Sequence, residues 1–386
     1  MQMLYDNKYL EDFFEKNKKT IFLPGKIRGK CIINKLLNQG EKIIIYGAGR
    51  IGGVIGEILK EEKYEVLAFL DKNAENIVEK NGTPCYLPTD PKSVEMKNAI
   101  VLISLFLSDQ EAESLKEDIK VMGYENVLFD KNLIACFCAY GIKQEKEESL
   151  YDQKDAIINA FFMLQDGISR EVFIRNLEAY SKWDFSEVSQ QADMLQYFDV
   201  DVPFSKGYTS FVDCGAYIGD SFMEMIKLHK CNTYIAFEPD FENFDKLAKN
   251  AECFKRNTEE ILLYPCAVSN KNGYLFFHRD GATGGCLCDE GEEVDMISTV
   301  KLDTVLKKKE IGMIKMDVEG AEIDALNGAR RIIMEQKPDL AICVYHKISD
   351  LWKIPILIKE MSSEYVFYLR CHDSLITETV LYATIK

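Results

Sequence analysis

The chain has no apolar run long enough to cross a bilayer. Its longest apolar runs, such as residues 99–107, are far shorter than the roughly 20 residues that a membrane-spanning helix needs. Residues 1–19 are polar and charged, without the apolar core and small-residue cleavage site of a secretion signal. The sequence therefore predicts a cytoplasmic protein with no integral membrane segment.

Positive charge is also scarce. The chain has 47 Lys and Arg against 63 Asp and Glu, a formal net charge of −16 at pH 7, and no basic stripe stands out. Because proteins bind nucleic acids largely by neutralising phosphates with basic side chains, this balance argues against a nucleic-acid polymer as partner. A small or carbohydrate substrate is favoured instead.

The 12 cysteines lack the spacing of a metal site. No Cys-x-x-Cys pair occurs, and the closest pairs, Cys136 with Cys138 and Cys286 with Cys288, are separated by one residue. Structural zinc sites typically use pairs of cysteines with two to four residues between them. We interpret the cysteines as reduced thiols that serve as small apolar residues, and predict no metal site.

The length of 386 residues is enough for two or three domains. Apolar residues at helical spacing predict a helical extension over residues 1–40. Strand and helix patterns alternate over 41–140 and again over 207–386, and a charged, mostly helical lead-in spans 141–206. The predicted fold is α/β, with two doubly wound Rossmann-like domains and a closing antiparallel strand pair at the C-terminus.

The most informative segment is Phe211-Val-Asp-Cys-Gly-Ala-Tyr-Ile-Gly-Asp220. An apolar run ends in Asp213 and turns through Gly215 and Gly219 into a helical stretch, and a second apolar run ends at Glu238. This order is typical of sites for adenosine-bearing cofactors, because the glycines let the backbone approach the ligand and the acid accepts hydrogen bonds from the ribose. The Gly-x-x-x-Gly spacing differs from the dinucleotide Gly-x-Gly-x-x-Gly and favours S-adenosylmethionine.

Two further segments are expected at the same edge of the sheet. Residues 265–270 follow a strand and are placed to frame the adenine, and residues 314–322 are a strand that ends in carboxylates. The residues predicted to contact the cofactor are Asp213, Cys214, Gly215, Ala216, Tyr217, Gly219, Asp220, Ser221, Glu238, Pro239, Cys266, Ala267 and Asp317.

Methyl transfer to a hydroxyl requires alignment of the acceptor and removal of its proton. Carboxylates near the cationic sulfonium also lower its energy by attraction. A neutral sugar hydroxyl is a weak nucleophile, so a general base is expected, and the candidates are Asp317, Glu319, Glu322 and His346. Glu322 is more readily interpreted as an acid in the first turn of a helix, and His346 is equally compatible with a packed strand-end histidine.

Five segments together resemble the FkbM-type methyltransferases. They are residues 211–220, 237–240, 266–270, 300–303 and 314–322. The resemblance extends over roughly residues 190–386, and its most specific part is Asp317-Val-Glu-Gly-Ala-Glu322. It implies a class I methyltransferase fold that uses S-adenosylmethionine, releases S-adenosylhomocysteine and mostly methylates sugar or polyketide hydroxyls.

The resemblance also implies roles for individual residues. The predicted loop residues are Asp213, Gly215 and Gly219, the ribose ligand is Glu238, and the catalytic residues are Asp317, Glu319 and His346. The chain departs from the family where many members have Glu-x-His, because Val344-Tyr345-His346 stands here. If that acid orients the histidine in the family, another group such as Asp350 must orient it in this chain.

The N-terminal α/β segment carries a second glycine pattern, followed by an acid after the next strand. The residues predicted for this second nucleotide site are Gly47, Gly49, Arg50, Ile51, Gly52 and Asp71. The pattern predicts a nucleotide-shaped crevice. The segment is similar to small Rossmann-like domains that precede sugar-modifying enzymes and hold a nucleotide-sugar, and a purely structural role stays open.

The predicted function is methylation by S-adenosylmethionine of a sugar hydroxyl in a surface-glycan or nucleotide-sugar precursor, with homo-oligomerisation left open. One alternative is an NAD-dependent sugar oxidoreductase or epimerase acting through the N-terminal domain, against which the missing Tyr-x-x-x-Lys pair counts. The other is a non-catalytic scaffold, against which the complete set of cofactor-loop residues counts.

Overall fold

The computed structural model describes residues 6–386 except 91, 93–95, 139–145, 187–195, 199–200, 254, 256–257, 279–285, 289–293 and 373–375. Residues 281–285 and 289–293, where the glycine-rich and acidic sequence predicts a mobile loop, lie outside the described residues. Among the helices that are described, none has both the length and the apolar character needed to cross a membrane.

The described helices are α1 (Asn7–Lys16), α2 (Gly25–Leu36), α3 (Arg50–Glu61), α4 (Asp109–Val121), α5 (Lys131–Ala135), α6 (Lys154–Met163), α7 (Gly167–Lys182), α8 (Asp220–Leu228), α9 (Phe241–Glu252), α10 (Leu302–Val305), α11 (Glu322–Gly328), α12 (Arg330–Gln336) and α13 (Asp350–Met361). The described strands are β1 (Ile21–Phe22), β2 (Lys42–Tyr46), β3 (Glu65–Leu70), β4 (Glu79–Lys80), β5 (Thr83–Tyr86), β6 (Ile100–Ile103), β7 (Val127–Leu128), β8 (Glu148–Ser149), β9 (Ser210–Cys214), β10 (Thr233–Phe237), β11 (Glu260–Tyr264), β12 (Ala267–Val268), β13 (Gly273–His278), β14 (Cys286–Cys288), β15 (Val294–Val300), β16 (Met313–Met316), β17 (Asp339–Cys343), β18 (Tyr365–Cys371) and β19 (Thr379–Ile385).

The chain forms two compact units. The first contains residues 1–20, 149–181 and 188–386, and the second contains residues 21–148 and 182–187. Helices α1 and α6 therefore cluster with the C-terminal sheet. The domain boundaries predicted at residues 40, 140 and 206 stay a prediction.

The larger unit is built on a seven-stranded sheet in the order β11-β10-β9-β16-β17-β19-β18. The first five of these strands are parallel, and β19 runs antiparallel to both β17 and β18, which confirms the predicted closing pair. Every residue of β16 and β17 is buried, as expected for central strands covered on both faces. The carboxyl ends of β9, β10 and β16 therefore meet at one edge of the sheet.

A separate four-stranded sheet, in the order β12-β15-β13-β14, also belongs to the larger unit. Strand β13 pairs antiparallel with β15 in this sheet.

The smaller unit has a six-stranded sheet in the order β4-β5-β3-β2-β6-β7. Strands β3, β2, β6 and β7 are parallel neighbours, as the alternating strand and helix pattern predicts. Its core includes Ile44, Val101 and Ile103 from adjacent strands and Ile119 from α4, all of them fully buried. This arrangement places the glycine loop after β2 at the carboxyl edge of the sheet.

Candidate functional site

The glycine loop between β9 and α8 depends on left-handed backbone. Gly215 has φ of +77° and Gly219 has φ of +83°, and Gly219 is the N-cap of α8. A Cβ on Gly215 would lie 1.8 Å from the carbonyl oxygen of Asp317, so only glycine lets the loop pack against the segment after β16. Tyr217, with φ of +47°, holds a conformation that is strained for a residue with a side chain.

Glu238 ties this loop to the end of β10. Its Oε2 accepts a hydrogen bond from the Tyr217 amide at 2.8 Å, and its Oε1 accepts one from the Asp240 amide at 2.9 Å. The side chain is almost fully buried, and this burial, opposed by the two amides, raises the pKa of Glu238 to about 7. The carboxylate is therefore placed where the sequence predicts the ribose ligand.

Asp213 lies below the loop, with its carboxylate fully buried. Its Oδ1 is 3.0 Å from the Lys315 ammonium, and its Oδ2 accepts a hydrogen bond from the Tyr234 hydroxyl at 3.1 Å. Lys315 also donates to the Gly215 carbonyl at 2.9 Å. Burial opposes the charge of Lys315, but the attraction of Asp213 and other acids outweighs it, so the pKa of Lys315 is raised. The ion pair fixes the loop from beneath.

Asp317 lies at the start of the segment after β16 and is held by two tyrosines. Tyr345 donates to its Oδ1 and Tyr197 to its Oδ2, both at 3.0 Å. Burial opposes ionisation, but nearby positive charge and the two hydroxyls lower the pKa of Asp317 overall. The carboxylate is therefore ionised and fixed in direction, while 23% of its side chain stays exposed.

His346 is fully buried at the end of the β17 segment, among the carboxylates that follow β16. Its Nδ1 is 2.8 Å from Oε1 of Glu322, and its Nε2 is 3.4 Å from Asp317 Oδ1 and 3.7 Å from Glu319 Oε2. Burial by itself disfavours a charged imidazole, but the surrounding carboxylates, Glu322 foremost, outweigh it and raise the pKa of His346 to about 10. The imidazole is therefore protonated at neutral pH in this geometry.

Glu322 is the first residue of α11, as the sequence predicts, and it also contacts the histidine. Its Oε1 accepts a hydrogen bond from the Val318 amide at 3.0 Å. Asp350, the sequence-based candidate for orienting His346, is also buried, and burial together with repulsion from Glu322 raises its pKa to about 7. The close contact with the imidazole therefore belongs to Glu322.

The other predicted cofactor residues lie in this loop and its flanking elements, or follow β10 and β11. Cys214 and Ala216 are buried, and Asp220 and Ser221 lie in the first turn of α8. Pro239 follows Glu238 at the end of β10, and Cys266 and Ala267 follow β11, whose last carbonyl accepts a hydrogen bond from the Glu238 amide at 3.1 Å.

The N-terminal glycine loop repeats the arrangement seen at Glu238. Oδ2 of Asp71 accepts from the Ala48 amide at 2.7 Å, and its Oδ1 accepts from the Asn73 amide at 2.8 Å. A Cβ on Gly52 would lie 2.0 Å from the Gly47 carbonyl oxygen, whereas one on Gly49 would meet nothing within 4 Å. Arg50 and Ile51 begin α3. The predicted residues are thus gathered at the carboxyl edge of this unit's sheet.

Sequence reasoning missed two contributors to the C-terminal site. One is Lys315, a lysine inside an otherwise apolar buried strand, which is a signal for a paired internal charge. The other is Tyr345, which stands where the family pattern leaves a variable position and binds Asp317.

Comparisons with known proteins agree with this geometry. Residues 213–367 match the family model of the Methyltransferase FkbM domain, and residues 42–105 match that of the PglD N-terminal domain. The chain is similar to the crystal structure of methyltransferase FkbM from Methylobacillus flagellatus KT, with a TM-score of 0.63 and 20% identity over 98% of this chain and 100% of that chain. At this identity the likeness shows the fold alone. A comparison with curated proteins gave no match.

These findings confirm the α/β fold with two Rossmann-like domains and the resemblance stated from the sequence. The sheet order, the glycine loop that packs on Asp317 and the match over residues 213–367 agree with one another. Residues 213–367 therefore resemble an FkbM methyltransferase domain, and residues 42–105, which precede them, resemble a PglD N-terminal domain.

Proposed function

We propose that the chain transfers a methyl group from S-adenosylmethionine to a hydroxyl of a sugar in a surface-glycan or nucleotide-sugar precursor. The observation that carries this proposal is the contact of Gly215 with Asp317, which joins the glycine loop to the carboxylate cluster. A cofactor held on that loop would have its reactive end beside the acids and the histidine.

The residues fit an adenosine-bearing cofactor. Each oxygen of Glu238 accepts one backbone amide, which leaves a further lone pair on each for a ribose hydroxyl. The glycine at 215 lets the loop pack directly on the backbone of Asp317. When bound, S-adenosylmethionine supplies a methyl group activated by a cationic sulfonium. The ionised Asp317 would stabilise that charge.

The cluster also fits a hydroxyl acceptor. The side chains of Asp317 and Glu319 are 23% and 29% exposed, so their oxygens can accept a hydrogen bond from an incoming hydroxyl. His346 already carries a proton at neutral pH, so these carboxylates are the groups that can take the hydroxyl's proton directly. The cationic sulfonium of a bound cofactor would lower the pKa of His346, so the imidazole could also take the proton of the hydroxyl.

We further propose that the N-terminal unit binds the nucleotide-linked sugar. Asp71 holds its glycine loop as Glu238 holds the other one, and the PglD N-terminal match supports a sugar-related role. Quenching of protein fluorescence by a nucleotide-sugar such as a uridine diphosphate sugar would support this role. Quenching of NADH fluorescence instead would favour the oxidoreductase alternative.

Calorimetry with S-adenosylhomocysteine tests the cofactor. We expect saturable binding to the wild-type chain and its loss in Glu238→Ala. The matched control is Glu242→Ala, an exposed acid in the first turn of α9, which should bind like the wild type. Absence of binding to the wild-type chain would overturn the proposal. Transfer of labelled methyl groups to a panel of nucleotide-sugars then tests the acceptor class.

A further inference from the structure

The carboxylates around His346 have the arrangement of a metal centre. One ligand atom from each of Asp317, Glu322 and His346 lies within 4.8 Å of the others. An acidic cluster alone does not make a site. Here, however, the imidazole is fully buried, and its Nε2, which faces Asp317 and Glu319, has no hydrogen-bond partner of good geometry among the described residues. A buried polar atom in that state indicates a missing partner.

We propose that His346, Asp317 and Glu319 bind a divalent cation. The cation displaces the Nε2 proton of the imidazole, which leaves to solvent, and is coordinated by that nitrogen and by one oxygen of each acid. Two ligand atoms that are each about 2.1 Å from a cation, at the tetrahedral angle, lie about 3.4 Å apart. Nε2 is 3.4 Å from Asp317 Oδ1 and 3.7 Å from Glu319 Oε2. These separations are long for hydrogen bonds and match the distances between ligands of one ion.

The residues that contact the proposed ligands are of the kind that orients the ligands of a metal centre. Glu322 contacts the other ring nitrogen of His346 at 2.8 Å, so it orients the imidazole instead of ligating through that ring atom. Metal-binding histidines almost always pair their second nitrogen with a carboxylate or carbonyl in this way. Asp317 is likewise fixed by the Tyr197 and Tyr345 hydroxyls. Glu319 has a left-handed backbone, with φ of +55°, and its Oε2 lies 3.7 Å from Nε2 of the same imidazole.

One imidazole nitrogen and two carboxylate oxygens suit Mn²⁺ or Zn²⁺ better than a soft metal. Because Asp317 and Glu319 are partly exposed, an acceptor hydroxyl can be the fourth ligand. With the cation bound, Asp317 and Glu319 act as its ligands and no longer take the proton of the hydroxyl. Coordination would instead lower the pKa of that hydroxyl, which releases its proton to solvent before methyl transfer. This role rests on the proposed function, whereas the binding of the cation does not.

Electron paramagnetic resonance of added Mn²⁺ tests the site in the 386-residue chain after treatment with a chelator and dialysis. We expect one bound ion per chain. His346→Gln and Asp317→Asn should each weaken binding by at least about 100-fold, and Glu322→Gln by about 10- to 100-fold. The matched control is Asp324→Asn, an exposed acid on the same helix, which should bind as the wild type does.

Absence of bound Mn²⁺ in the wild-type chain would overturn the proposal, and so would unchanged affinity in a folded His346→Gln variant. Circular dichroism establishes folding, and Asp317→Asn carries the test if the histidine variant does not fold. Calorimetry with S-adenosylhomocysteine in the presence of chelator separates the two proposals. Cofactor binding without Mn²⁺ binding removes only the metal site, and Mn²⁺ binding without cofactor binding removes only the proposed function.

Discussion

Replacing Gly215 by alanine tests the contact on which the site depends. An alanine at φ of +77° costs about 1–2 kcal/mol relative to glycine. Its Cβ would also lie 1.8 Å from the Asp317 carbonyl oxygen, and displacing that packed backbone adds about 1–3 kcal/mol. We therefore expect Gly215→Ala to lower the free energy of unfolding by about 2–5 kcal/mol, and affinity for S-adenosylhomocysteine by more than about tenfold.

The matched control is Gly207→Ala in the same unit. Gly207 has φ of +67°, but a Cβ there would meet nothing within 4 Å. This variant should show only the conformational cost of about 1–2 kcal/mol and keep the cofactor affinity of the wild type. Urea unfolding and calorimetry measure both quantities. Equal losses of stability in the two variants, with cofactor affinity preserved in both, would refute the reasoning.

Three further predictions follow from the same contacts. The pKa of Glu238 is about 7, and ribose hydroxyls favour its ionised form, so the affinity for S-adenosylhomocysteine in calorimetry should rise about tenfold from pH 6 to pH 8. Glu238→Gln should abolish this rise, and tighter binding at pH 6 would contradict the prediction. Lys315→Met should cost about 3–5 kcal/mol in urea unfolding because Asp213 is left buried without its partner, and adding Asp213→Asn should restore part of that loss. In thermal unfolding, Gly52→Ala should destabilise the chain more than Gly49→Ala, because a Cβ clashes only at position 52.

The cofactor loop could be predicted because its requirements are local. Gly215 and Gly219 need left-handed backbone, and an acid at the tip of the next parallel strand must lie beside that loop. The strands around them, β9, β10 and β16, are mostly apolar and buried, which is the pattern expected of strands covered on both faces. In the N-terminal unit the requirement is also local, because the backbone at Gly52 approaches the Gly47 carbonyl closely and Asp71 follows the next strand.

The sequence predicts the candidate residues of the carboxylate cluster, but not which of them contact one another. The sequence favours Glu322 as a helix-start residue and offers Asp350 as the group that orients His346. In the structure, Glu322 both begins α11 and contacts the imidazole. These two roles coincide because the short turn after β16 brings the start of α11 back toward the end of β17, a result of strand order that no local pattern encodes.

By itself the sequence determined the two α/β units, the glycine loops and the acids that follow their second strands, because backbone conformation and strand burial act over a few residues. Only the tertiary structure decided which side chains meet. Lys315 pairs with Asp213, and Tyr345 and Tyr197 hold Asp317, although Tyr197 is 120 residues from it in sequence. The pairings of Lys315 and Tyr345 follow from the sheet order, which places β16 beside β9 and β17, and Tyr197 reaches Asp317 from outside the sheet. Because a buried charge without a partner is destabilising, burial favours these contacts.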